Sequence, residues 1–252
     1  MLPLSIVILT KNEAQNIARC LQPLIGLTDD ILIVDNGSTD NTIEIALSMQ
    51  ATILQTTWKG YSRTKNEGNE HAKYDWILSL DADEVINEEL RNEMIQLFTN
   101  EMKATDSFSF QRKMIYCGKP LNYGAVANEF RLRIFNRKNG YWNEDEVHEN
   151  VIFKDEITIK KLTGFVYHFS YNTVQEHLQR LEKYAQLFAN KSTKKATFIK
   201  IYFSPVFGFI RNYVFKLGFL DGKSGFQFAK NELWYTFRKY QLLETIFRKI
   251  IK

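Results

Sequence analysis

Apolar and polar positions along the first hundred residues alternate between two periods. The continuous apolar run SIVIL (5–9) suits a strand covered on both faces, ILIVD (31–35) reads as a second buried strand, and ATILQ (51–55) and WILSL (76–80) read as a third and a fourth strand. Between them, NEAQNIARCLQPLIGL sets Ile17, Leu21, Leu24 and Ile25 at helical spacing, with Asn12 available as a cap. STDNTIEIALSM (38–49) opens on capping residues, SRTKNEGNEHA (62–72) reads as helix despite Gly68, and NEELRNEMIQLF (87–98) is a strong helix signal. Strand–helix alternation of this kind predicts right-handed crossovers and an α/β fold with a parallel sheet.

From residue 107 the pattern changes. SFSFQRKMIY, FRLRIF and ITIKKLTGFVYHF read as strands with mixed or antiparallel pairing. TVQEHLQRLEKYAQLFAN (173–190) predicts a helix with Val174, Leu178, Leu181 and Leu187 on or near one side. The last sixty residues read as helical, with breaks near Pro205 and at GFLDGKSG (218–225). We therefore expect a main α/β domain over 1–190 and a helical extension over 191–252.

Composition adds a compartment and an asymmetry. At 252 residues, with 44% hydrophobic and 25% charged residues, the chain can bury a full core. Its two cysteines, Cys20 and Cys117, are far apart in sequence and fit a reducing compartment. MLPLSIVILTKNE lacks the basic start and long apolar run of a secretory signal, and no stretch reaches the roughly 18–20 apolar residues of a spanning helix. A cytoplasmic location is expected. The net charge of +4 divides unevenly: residues 191–252 carry 13 Lys/Arg against 3 Asp/Glu, and residues 1–190 carry 20 against 26. This basic, aromatic tail suits a solvated helical subdomain, an anionic membrane surface at the inner face of the plasma membrane, or a homodimer contact. No nucleic-acid recognition motif accompanies it.

Polar residues gather where the predicted strands end: TKNE, DNGSTD, TTWKG and DADE. Ligands of open α/β sheets bind beyond those carboxyl ends, so four strand ends open on one pocket. Taken singly, Asn12 and Asp40 serve equally as helix caps, and Gly37 as a turn residue. Asp35 suits either a nucleobase N–H or the closure of its own loop. In LSLDADEV (79–86) an apolar strand runs into Asp81, Asp83 and Glu84. Like charges this close repel, so a cation is expected between them; carboxylate oxygens suit Mg²⁺ or Mn²⁺. If the strand continued, Asp81 and Asp83 would project on the same side.

The blocks LSIVILTKNE, IVDNGSTDNT and LSLDADE together resemble glycosyltransferase family 2, which has the GT-A fold: a Rossmann-like, mostly parallel sheet flanked by helices. FRLRIFNRKNGYW, EVHENV and GFVYHFSY resemble the branch that includes lipopolysaccharide-core β-glycosyltransferases. The resemblance implies a metal-dependent inverting hexosyltransferase, moving a sugar from a nucleoside diphosphate donor, such as a UDP-sugar, to a saccharide or glycolipid acceptor. It implies that Thr10, Asn12, Glu13, Asp35, Lys59, Arg63, Asn66, Asp81 and Ala82 contact the nucleotide-sugar. Asp81 and Asp83 would form the metal-binding D-x-D element, with His148 and His168 as further candidates for metal or phosphate. The family's usual Glu-Asp pair is replaced here by Val147-His148-Glu149. Glu149 takes the second position of that pair and is the expected base, with Glu146 as the alternative. Arg131 and Arg133 suit a diphosphate, an anionic acceptor or plain strand-surface charge.

Rival readings are a nucleotidyltransferase acting on sugar phosphates, a phosphatase using D-A-D-E-V, and a sugar-nucleotide scaffold without activity. The first lacks a Gly-rich basic N-terminal loop, the second lacks a later acidic pair, and the intact D-x-D argues against the third.

Overall fold

The computed structural model describes residues 1–100, 102–127, 129–143, 149–192 and 195–250. Its first strands, β1 (Leu4–Thr10), β2 (Ile31–Asp35), β3 (Thr52–Gln55) and β4 (Trp76–Asp81), alternate with helices α1 (Ile17–Leu21), α2 (Thr42–Ser48) and α3 (Tyr61–His71). The strands run parallel in the order β3-β2-β1-β4. Every residue of β1 and β2 is buried, which is why they read as unbroken apolar runs; β3, at the edge, is not.

A turn at residues 82 and 83 leads into β5 (Glu84–Ile86) and α4 (Glu88–Leu97). Then come β6 (Asp106–Tyr116), β7 (Lys119–Pro120), β8 (Glu129–Asn136), β9 (Gly140–Trp142), β10 (Val151–Phe153) and β11 (Thr158–Tyr171). The sheet continues past β4 as β8-β6-β11-β5, with β8 antiparallel to both β4 and β6, and β11 antiparallel to β5. It is thus a mixed sheet whose parallel half is the part the alternation predicts. β9 and β10 form a separate antiparallel pair.

The chain forms two compact units. One comprises residues 1–112 and 129–168; the other comprises 113–128 and 169–252, so position 190 lies inside the second. In the first, the core lies on both faces of the sheet: Leu4, Ile6 and Ile8 pack with Ile17, Leu21 and Leu90, while Val7, Val34 and Ile77 pack with Phe135 and Trp142. The second unit holds α5 (Val174–Lys191), α6 (Phe198–Ile210) and α7 (Gly222–Ile250). There, His177 is fully buried among the rings of Tyr116, Tyr171 and Phe228.

Of four local expectations, three are corrected. Asn12 does not cap α1, which begins after Asn16; Asn12 itself sits at φ 55° in the left-handed region. α2 starts at Thr42, after the polar residues 38–41 that open the segment; there Ser38 and Thr39 bond to Asp35 and Asn12, and Asp40 accepts the Thr42 N–H at 3.1 Å. α5 buries His177, Leu181, Ala185 and Ala189 and leaves Leu187 exposed, so its inner face is offset from the apolar positions read from sequence. α6 passes through Pro205 without a break; Pro205 is buried, and its packing offsets the hydrogen bond its missing N–H cannot make. The break falls later, in the π-helical turn Arg211–Phe215 and at Leu217, which has φ 59°.

Gly164 shows how tightly β11 meets α4. A Cβ there would lie 2.3 Å from both the backbone nitrogen and the Cα of Leu90. Backbone cannot yield as a side chain does, so Gly164→Ala should destabilise the protein by about 1–3 kcal/mol. Gly208, inside α6 with open space around its Cβ position, makes the contrast. Gly208→Ala should stabilise by up to about 1 kcal/mol. Urea-unfolding midpoints of the two variants should move in opposite directions.

Candidate active site

Three neighbouring parallel strands end level with one another: Thr10 pairs with Asp35, and Leu9 with Asp81. The loops that follow are tied together. The Asp35 carboxylate accepts the N–H groups of Gly37 and Ser38, both at 2.9 Å, and the Ser38 hydroxyl. Gly37, at φ 81°, lets the chain turn back over that carboxylate. Asn12 accepts the Thr39 N–H at 2.8 Å, and its own N–H donates to Ser38 Oγ at 2.9 Å. The Glu13 N–H donates to Thr42 Oγ1 at 2.8 Å, and its carboxylate accepts from Asn16 Nδ2 at 2.7 Å. In this structure Asp35 therefore closes its own loop, while Asn12 and Glu13 fasten it to the loop after β1. Thr10 Oγ1 is buried and has no hydrogen-bond partner among the described residues.

The centre of the cluster is a residue the sequence reading passed over. α3 turns Ser62, Lys65, Gly68 and Asn69 inward. At Gly68 a Cβ would come within 2.7 Å of side-chain atoms of both Val7 and Val34, so this helix face lies close against the sheet. Lys65, one turn earlier on that face, is carried inside with it and is only 2% exposed. Its Nζ lies 3.1 Å from Asp81 Oδ1, 2.9 Å from Glu149 Oε2 and 4.8 Å from the ring centre of Trp142. A lysine three residues before a helix glycine was the available signal.

Arg133, from β8, completes the balance. One of its Nη atoms lies 3.0 Å from Asp81 Oδ2 and 3.1 Å from Glu84 Oε1. Glu84 is fully buried; its other oxygen accepts the Asp81 N–H at 3.1 Å, and Arg112 approaches it at 3.6 Å. Burial opposes ionisation of Asp81, but the charges of Lys65 and Arg133 outweigh it and hold this carboxyl well below the ordinary carboxylate range. Burial likewise disfavours the Arg133 charge, and Glu84 and Asp81 overcome it, leaving the guanidinium firmly protonated. Arg131, two residues earlier, is exposed and pairs with Glu129.

Asp83 does not share a face with Asp81 through strand alternation, because β4 stops at Asp81 and the chain turns. Its carboxylate meets β11 instead, with Oδ2 3.2 Å from His168 Nε2. Ala82, between them, is buried. Beneath the turn, Cys20 Sγ lies 3.8 Å from the Asp81 carbonyl oxygen, and burial pushes its thiol well up. Three further expected donor contacts lie on α3 or just before it. Lys59 pairs with Glu67 at 3.1 Å, Arg63 is on the outer side of α3, and Asn66 exchanges two 2.9 Å hydrogen bonds with the Trp142 backbone. Glu146 and His148 lie outside the described residues.

Among the described residues no group of three or more His, Cys, Asp or Glu side chains is arranged to hold a metal ion. Asp83 and His168 are the neighbouring oxygen and nitrogen donors. The two Asp81 oxygens face Lys65 and Arg133.

The profile of Glycosyl transferase family 2 matches residues 5–212. The chain is 28% identical over 248 residues to the lipopolysaccharide core biosynthesis glycosyltransferase LpsC of Rhizobium meliloti, covering 94% of this chain and 90% of that protein. It is also 28% identical over 241 residues to an uncharacterized glycosyltransferase of Rickettsia prowazekii, covering 90% and 81%. A crystal structure of S. aureus TarS with UDP-GlcNAc aligns over 98% of this chain and 91% of that one, with a TM-score of 0.46 and 15% identity.

A carboxyl held below its unfolded value adds stability only while ionised. That contribution is complete above about pH 4 and falls away as the pH drops further. The Asp81→Asn chain should therefore be less stable than the parent near neutrality, yet lose less on acidification to about pH 3. Urea midpoints at the two pH values measure the difference.

Proposed function

The chain belongs to glycosyl transferase family 2 and has the GT-A fold; from that premise we propose that it transfers a sugar from a UDP-sugar to a lipid-linked saccharide, of the lipopolysaccharide-core kind. The lipid-linked acceptor is suggested by the Rhizobium meliloti relative, a glycosyltransferase of lipopolysaccharide core biosynthesis. The carrying observation is the chain of contacts Glu149–Lys65–Asp81, which sets one partly open carboxylate beside the ends of β1, β2 and β4.

In this reading the donor's nucleotide lies over the loops after β1 and β2. The Thr10 hydroxyl, buried without a partner, is then a donor or acceptor awaiting a ligand. Glu149 is the base. An acceptor hydroxyl attacks the anomeric carbon opposite the diphosphate; the new C–O bond forms, the bond to the diphosphate oxygen breaks, and the hydroxyl proton passes to Glu149. A carboxylate need not match the pKa of a sugar hydroxyl, because the proton moves as the bond forms. Lys65 holds Glu149 in place, and Arg133 with Arg112 keeps the acidic centre from repelling an anionic donor. Mg²⁺ or Mn²⁺ would be held by Asp83 and His168, with donor phosphates filling further positions, as magnesium sites with few protein ligands do. The chemistry such an ion would supply is neutralisation of charge on the leaving diphosphate. Catalysis at a cytoplasmic membrane face would place the enzyme where a lipid-linked acceptor is found.

Glu149→Gln should lower kcat by about 10²–10⁴ while leaving the donor Kd within a few-fold, measured by diphosphate release and by calorimetric titration with UDP-sugars. Unchanged kcat in this variant would remove Glu149 from the role of base. Chelation with EDTA should abolish turnover, Mn²⁺ should restore it, and Asp83→Asn should raise the Mn²⁺ concentration needed. Turnover indifferent to EDTA would exclude the metal. A screen of UDP-, GDP- and dTDP-sugars identifies the donor.

A further inference from the structure

An amphipathic helix on a globular unit ordinarily turns its apolar side inward. α6 presents apolar side chains outward as well. Ile199, Tyr202, Phe203, Val206, Phe207 and Ile210 follow one another at helical spacing, and all are exposed; Phe203 and Phe207 are each 61% exposed. The opposite side of the helix holds Ile201, packed toward Leu243, and the buried Pro205. Tyr202 meets Phe237 of α7, with ring centroids 6.2 Å apart; the other five positions stay exposed and make no ring contact beyond α6 among the described residues of this unit. The apolar surface continues past the helix through Val214 and Phe215, the latter 72% exposed.

Charge decides what would cover it. Residues 195–220 contain Lys195, Lys200, Arg211 and Lys216 and no Asp or Glu. All four are exposed, with Lys200 in the first turn of α6 and Arg211 directly after its last. Their aliphatic stems can lie along an apolar boundary while the charged ends reach phosphates. α6 is 13 residues long, too short to cross a hydrocarbon core of about 30 Å, and no described helix is long and apolar enough to do so. It has the composition of a helix lying in the interface plane, apolar on one side with basic residues beside it. A second copy of the chain fits less well. A two-fold contact would set this basic, acid-free segment against the same segment in its partner.

We infer that the outward face of α6 and of the turn after it, from Phe198 to Phe215, docks on an anionic lipid surface, its aromatic residues entering the headgroup boundary and its lysines and arginines pairing with lipid phosphates. The inference rests on the helix itself, and its readout is binding rather than turnover. In flotation with the full chain, vesicles containing phosphatidylglycerol should recover roughly tenfold more protein than pure phosphatidylcholine vesicles, with the difference shrinking at high salt. The double variants Phe203→Glu/Phe207→Glu and Lys200→Glu/Arg211→Glu should each lose that recovery. Both sets of side chains are exposed, so thermal unfolding should stay close to that of the parent. Equal recovery on both vesicle types, or none on either, would overturn the inference. So would sedimentation showing a dimer that Phe203→Glu/Phe207→Glu makes monomeric, which would assign the face to a second copy. Diphosphate release from a UDP-sugar without vesicles tests the transferase reading separately.

Discussion

The candidate site depends on matching buried negative charge with buried positive charge. Asp81 and Glu84 end and follow a central strand, and Glu149 enters from a distant loop. Gathered without cations, these carboxylates would repel one another or take up protons. Lys65 and Arg133 prevent that, and each bridges two carboxylates rather than pairing with one. Removing either would leave a charge with less water and fewer partners than it requires, a loss usually larger than that of a surface ion pair.

That constraint links fold to chemistry. β1 and β2 are buried on both faces and leave only their ends polar; α3 lies against them closely enough to require Gly68. The close approach carries the Lys65 ammonium to the strand ends. β8, antiparallel to β4, brings Arg133 from the other side. The polar loops then arise from a rigid base, with Asp35 and Asn12 fixing their conformation. Sites supported in this way hold their groups for a reaction without reordering them each turnover.

The second unit follows a different rule. It encloses a histidine in an aromatic core and leaves another aromatic-rich helix face outside. Aromatic content alone does not distinguish these uses, since helical spacing marks a face but not which way it turns. His177 illustrates the difficulty on α5, where an inward histidine and two inward alanines join the expected Leu181 while the expected Leu187 stays exposed.

By itself, the sequence determined the parallel strands, their helices and the polar character of four adjacent strand ends, because these follow from local periodicity and from the burial of both sheet faces. It also marked Asp35, Asp81, Asp83 and Glu149 as residues of interest through their spacing and family resemblance. Tertiary structure decided their contacts. The turn after Asp81 sends Asp83 toward His168, and Asp35 bonds to its own loop. Lys65 reaches Asp81 and Glu149 across separations of 16 and 84 residues, and Arg133 reaches Asp81 across 52. Contacts across such separations are set by how closely helix and strand pack, which spacing along the chain does not encode.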